Sequence, residues 1–117
     1  MATISKRCTE LGEMLLEVER DLWFAMDNLR EARQLPYNFQ LARIWAEDAK
    51  RQYMTPFWTP EFTTEELVRI NAPIEKGLRL ISEKKDIEAS SAFEEARKNV
   101  HDMLFQKVVE CECKKKP

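Results

Sequence analysis

The chain has 117 residues, 44% apolar and 34% charged, with two glycines and a net charge of −2. This suits one domain with a modest core, and it excludes a disordered chain or one drawn to nucleic acid by overall charge. Glycine is too scarce for a hairpin-rich β fold, whereas the abundant Glu, Lys, Arg, Leu and Ala all favour helix.

The first predicted helix runs from Ala2 to about Gln34. Ile4, Cys8, Leu11, Leu15, Val18, Leu22, Ala25, Leu29 and Ala32 alternate in steps of four and three, an a/d heptad seam. Trp23, Phe24 and Met26 broaden the apolar face beyond what a two-stranded zipper needs, so the helix reads as one spine of a bundle. Glu10, Glu13, Glu17, Glu19 and Asp21 predict an acidic outer face.

Pro36 breaks the pattern, and Asn38 is a candidate cap for a second helix over Phe39–Met54. Its stripe is Phe39, Ala42, Ala46, Ala49 and Tyr53, with Leu41, Ile44 and Trp45 alongside. The segment Thr55-Pro56-Phe57-Trp58-Thr59-Pro60-Glu61-Phe62 follows. Its prolines forbid regular helix, yet its aromatics require burial or a partner. It is either a plug over one end of the bundle or an aromatic contact surface. On the second reading Tyr53, Phe57, Trp58 and Phe62 form a partner-binding patch with Trp23 and Phe24 beside it.

Thr63 and Glu66 have capping-box spacing, and Leu67, Ile70, Ile74, Leu78 and Ile81 continue a third helix. Pro73 predicts a kink, or a restart with Asn71 as cap. Asp86 is a candidate cap for a last helix over Ile87–Glu110, striped by Ala89, Phe93, Ala96, Val100, Met103 or Leu104, and Val108. Residues 111–117 read as a polar, frayed tail outside a single domain spanning 1–110. The predicted fold is therefore all-α: an antiparallel bundle of about four helices, the third kinked or broken near Pro73 and the first acting as spine.

No apolar run approaches the roughly 18–20 residues of a membrane helix, and the first residues lack a signal peptide's apolar stretch. An intracellular, cytoplasmic location is the expectation, with Cys8, Cys111 and Cys113 as reduced thiols. A zinc site could draw on these three and His101, but Cys-x-Cys is tighter than the usual structural spacing, and no metal or cofactor is expected. A di-iron site needs Glu-x-x-His pairs, whereas the one histidine, His101, follows Lys98 at that spacing. There is no phosphate-binding glycine loop and no nucleophile elbow. Lys114-Lys115-Lys116 reads as a solvated end.

Two resemblances remain. Arg97 and His101 resemble the Arg-x₄₋₆-His signature of HEPN-type ribonucleases, which are also small helical bundles, although only three residues separate them here. That resemblance implies Arg and His acting on an RNA backbone, usually across a dimer. The stretch from Gly77 through Leu80 to Ala89, Phe93 and Ala96 resembles one tetratricopeptide unit, but no second copy follows, so it reads as a helix hairpin.

The expected function is a non-enzymatic helical protein–protein interaction module: an adaptor, an assembly subunit or an inhibitor that occupies a partner's surface. A phage or mobile element could encode such a chain, as could a host. The expected partner is another protein, with homodimerisation through helix one as one form; neither nucleic acid nor membrane is expected. The alternative is a HEPN-like RNA-acting bundle using Arg97 and His101.

Overall fold

Two helices begin where side chains satisfy free backbone amides. Ser5 Oγ accepts from the Cys8 amide, and Thr63 and Glu66 exchange bonds in the predicted capping box. The computed structural model describes residues 5–114, with helices α1 (Lys6–Arg30), α2 (Tyr37–Tyr53), α3 (Thr64–Ser82) and α4 (Asp86–Lys114) and a 3₁₀ turn at Thr59–Glu61. No strand occurs among the described residues, and no helix there is long and apolar enough to cross a membrane. α2 starts directly after Pro36 and not after Asn38; Pro36 has helical φ already, which lets the helix open without a side-chain cap.

α1 packs against α2 and α4, α4 packs also against α3, and α3 touches α2 more sparingly. Neighbours are antiparallel. Cys8–Cys111, Glu19–Arg97 and Arg33–Asp86 descend α4 as they climb α1. Tyr53 Oη donates to Asn71 Oδ1 at 3.0 Å and Arg43 to Ser82 Oγ at 2.9 Å, tying α2 to α3. The result is an all-α, antiparallel four-helix bundle with α1 as a spine.

The heptad seam is the core. Cys8, Leu11, Leu15, Val18, Leu22, Ala25, Leu29 and Ala32 are all buried, while Ile4 lies outside the described residues. Met14 and Met26 are buried as well, so the seam is wide enough for two neighbours. Asp21 corrects the sequence reading. It belongs to the stripe Met14, Val18, Asp21, Ala25, not to the outer acidic face, and is only 1% exposed.

α3 passes through Pro73 unbroken, so the predicted restart at Asn71 does not occur. Proline has no N–H, which leaves the carbonyl of Arg69, four residues back, without its helical partner. Asn99 Nδ2 on α4 donates to that carbonyl at 2.9 Å. One turn further on, α3 and α4 approach at Gly77, where a β-carbon would lie 2.7 Å from Phe93 Cδ1, well inside van der Waals contact. α3 then ends in a Schellman turn. Lys84 adopts φ 61°, and Lys85 N–H donates to Leu80 O at 3.0 Å.

The predicted frayed tail of 111–117 is corrected over residues 111–114, while 115–117 lie outside the described residues. α4 continues to Lys114, and Cys111 is buried and disulfide-bonded to Cys8, their α-carbons 5.7 Å apart. Ser5 N–H donates to Glu112 Oε2 at 2.9 Å across the same end. Cys111 extends the buried series Val100, Met103, Lys107 at helical spacing, and the antiparallel packing brings it level with Cys8. The two cysteines are thus one cross-link and not free thiols; Cys113 is free and exposed.

Candidate functional site

The six aromatic residues expected to form one patch do not do so. Tyr53 is fully buried, and Trp58 and Phe62 are only 9% and 8% exposed. Arg7, on the first turn of α1, explains the loop's inward course. Its guanidinium donates to Phe57 O at 2.9 Å, pairs with Glu61 at 3.1 Å, and lies over the rings of Phe57 and Trp58 at 4.5 and 5.0 Å. The loop is therefore the plug of the two readings, with Phe57 alone of these four exposed. Trp23 and Phe24 are exposed but lie about 24 Å along α1 from Arg7, at 1.5 Å per residue. They also diverge: Phe24 packs on Trp45 of α2, 4.7 Å between centroids, whereas Trp23 lies under the Arg97 guanidinium of α4 at 4.9 Å.

Trp23 instead walls a groove of about 700 Å³ between the second half of α1 and the first half of α4. Met26, Leu29 and Ile87 supply its apolar lining. Arg30 at the end of α1 and Arg33 in the turn after it stand on one rim, with Asp86 and Glu94 on the α4 rim. Further exposed apolar residues lie on both helices, separated from the groove by the polar side chains of Glu19, Arg97 and His101. Leu16 stands one heptad before Trp23, and Phe105 stands five turns beyond Ile87 with Val109 after it. All five are exposed, Phe105 at 79%. The signal was in the sequence as apolar residues left over outside the buried stripe of each helix. The aromatic cluster of the loop is the denser signal in the sequence.

Arg97 and His101 do converge, on Glu19. Arg97 Nη1 lies 3.0 Å and His101 Nδ1 3.1 Å from Glu19 Oε1, while Glu94 binds the same guanidinium at 2.7 Å. The Glu94 bond raises the Arg97 pKa further and lowers that of Glu94 itself. This network clamps α4 onto α1. A guanidinium held by two carboxylates has little left to offer a phosphate. Neither Arg97 nor His101 is among the residues lining the groove.

Comparison with family models, with curated proteins and with solved structures finds no match to the chain.

Two further ionisable groups are buried. Lys107 Nζ donates to Glu66 at 2.8 Å and to Glu110 at 2.9 Å, and lies over Phe62 at 5.4 Å. Burial acts to lower its pKa, but the two carboxylates outweigh it and hold the ammonium above its usual value. Asp21 meets the opposite situation. Burial first, then the Asp48 carboxyl beside it, raise its pKa to about 7. Among the described residues, Asp21 Oδ2 has no hydrogen-bond partner. No group of three or more metal-ligating side chains occurs among the described residues.

Proposed function

We propose that this chain is a non-enzymatic helical protein–protein interaction module whose contact surface is the outer face of α1 and α4. One observation carries the reading. Both helices bury a full apolar stripe inside the bundle, yet a second set, Leu16, Trp23, Ile87, Phe105 and Val109, remains exposed on the same helix pair, and Trp23 and Ile87 of this set line a groove with charged rims. A groove with apolar lining, a polar border and further exposed apolar residues on the same helices is a usual form of a binding site for another protein. An adaptor, an assembly subunit and a surface-occupying inhibitor would all use it in this way.

The heptad seam is spent on α2 and α4, so self-association through α1 would have to use this outer face. The cytoplasmic expectation and the Cys8–Cys111 disulfide pull in opposite directions, because cytosolic thiols are held reduced.

The test pairs binding with stability. Trp23→Asp and Phe105→Asp are expected to abolish capture of the partner by purified protein while leaving the melting temperature within a few degrees of the parent. Partner capture that survives both substitutions would sink the reading. Trp58→Ala serves as the contrast, since it should lower the melting temperature and leave the outer face intact.

A further inference from the structure

Resting on that reading, we propose that the occupant of the α1–α4 face is a second copy of this chain, related by a two-fold axis parallel to the groove. The argument is one of sign. Along the groove, the rim at the end of α1 carries Arg30 and Arg33 and the α4 rim carries Asp86 and Glu94. An axis along the groove keeps the level and exchanges the two helices. Each basic rim then lies over the partner's acidic rim, Ile87 comes opposite the partner's Arg30 level, and Trp23 comes opposite the partner's Glu94 level. A face that is basic on one side and acidic on the other is self-complementary under this operation.

The basic rim is open to solvent, while on the acidic rim Glu94 is 46% exposed with its carboxylate on Arg97 and Asp86 is 13% exposed with its carboxylate on Arg33. Arg30 is 73% exposed in its side chain, and its ion pair to Asp27 is 3.8 Å long. Arg33 pairs with Asp86 at 3.0 Å through one nitrogen of an exposed guanidinium, so other donors remain for a facing carboxylate. The size also suffices. The bundle is 55 Å long. Two helices with axes about 10 Å apart offer a strip of the order of the 800 Å² per partner that a stable interface buries.

The experiment measures solution mass by light scattering over a concentration series. It uses the full chain carrying Cys113→Ser, which removes intermolecular disulfides. A reversible dimer is expected. Arg30→Glu sets an acid against the partner's acidic rim, and Ile87→Lys with Ser91→Lys sets cations against the partner's Arg30. Each variant alone should dimerise about a hundredfold more weakly. Mixed together they should recover a heterodimer, because each altered rim then faces its opposite charge. All three positions are exposed, and melting curves confirm that the variants fold.

A parent that stays monomeric at millimolar concentration overturns the proposal. So does a dimer indifferent to the substitutions, or a mixture in which no heterodimer forms. If the parent is monomeric but still captures a different protein through Trp23, the second copy is excluded while the interaction module stands.

Discussion

At the seam between α3 and α4, Lys107 is 3% exposed and reaches two carboxylates; at the seam between α1 and α2, Asp21 is 1% exposed and faces another carboxyl. The first seam is matched throughout. Glu66 accepts both the Thr63 amide and the Lys107 ammonium, Asn99 answers the carbonyl freed by Pro73, and Gly77 makes room for Phe93. Among the described residues the second seam pairs no cation with its acid, and burial shifts Asp21 toward its protonated form. A buried charge survives by pairing, whereas a buried acid beside another carboxyl and without a cation is driven toward its neutral form. The two seams should therefore respond differently to substitution and to pH.

The largest effect is expected from Lys107→Ala. It strips two carboxylates of their shared cation and opens space beside Phe62, and chemical denaturation should show a loss of about 3 kcal/mol. The figure stays at the low end because Glu110 can turn to water. If the loss is negligible, the α3–α4 seam does not depend on that pair.

Next is the pH response. The folded-state pKa of Asp21 is raised, so the fold favours its protonated form. Its contribution is complete below the unfolded value near 4 and is lost as pH rises through about 7. Stability should fall by about 2 kcal/mol between pH 5 and pH 8, and Asp21→Asn should flatten this slope and be the more stable protein at pH 8. Lys107, with its pKa raised, contributes below about pH 10 and loses that contribution above it. Glu66, with its pKa lowered by the Lys107 and Thr63 bonds despite its burial, loses its contribution only in acid. The α3–α4 seam thus adds little slope near neutrality. A wild-type profile flat from pH 5 to 8 would contradict the proposed protonation of Asp21.

The smallest effect is expected at Asn99→Ala, which removes one neutral hydrogen bond from a partly exposed carbonyl and should cost about 1 kcal/mol. Amide exchange around residues 69–73 is the sharper measurement, because faster exchange confined to that turn would show Asn99 supporting the proline-bearing segment.

How much could be read in advance follows the same division. The heptad positions Cys8 to Ala32 and the Thr63–Glu66 box were legible because their spacing alone defines them. Asp21 was not, because the identity of a charged residue outweighed its place in the stripe. Trp58 and Phe62 were ambiguous because a proline-rich loop has no period to say which way its side chains point. Residues 111–114 were not legible, because Glu112 and Lys114 have the polarity of a solvated tail, although Cys111 stands four residues after Lys107 on the buried stripe.

By itself, then, the sequence determined four helices, their order and the residues that line the core, since helical period and capping are local properties of the chain. Only the tertiary structure decided what lies across each seam. The Cys8–Cys111 link, the Asn99 bond to Arg69 and the meeting of Asp21 with Asp48 join residues 103, 30 and 27 positions apart, and no local pattern encodes such distant partners. The same holds for the outer groove. Trp23 and Ile87 become one surface only when α1 and α4 are laid side by side.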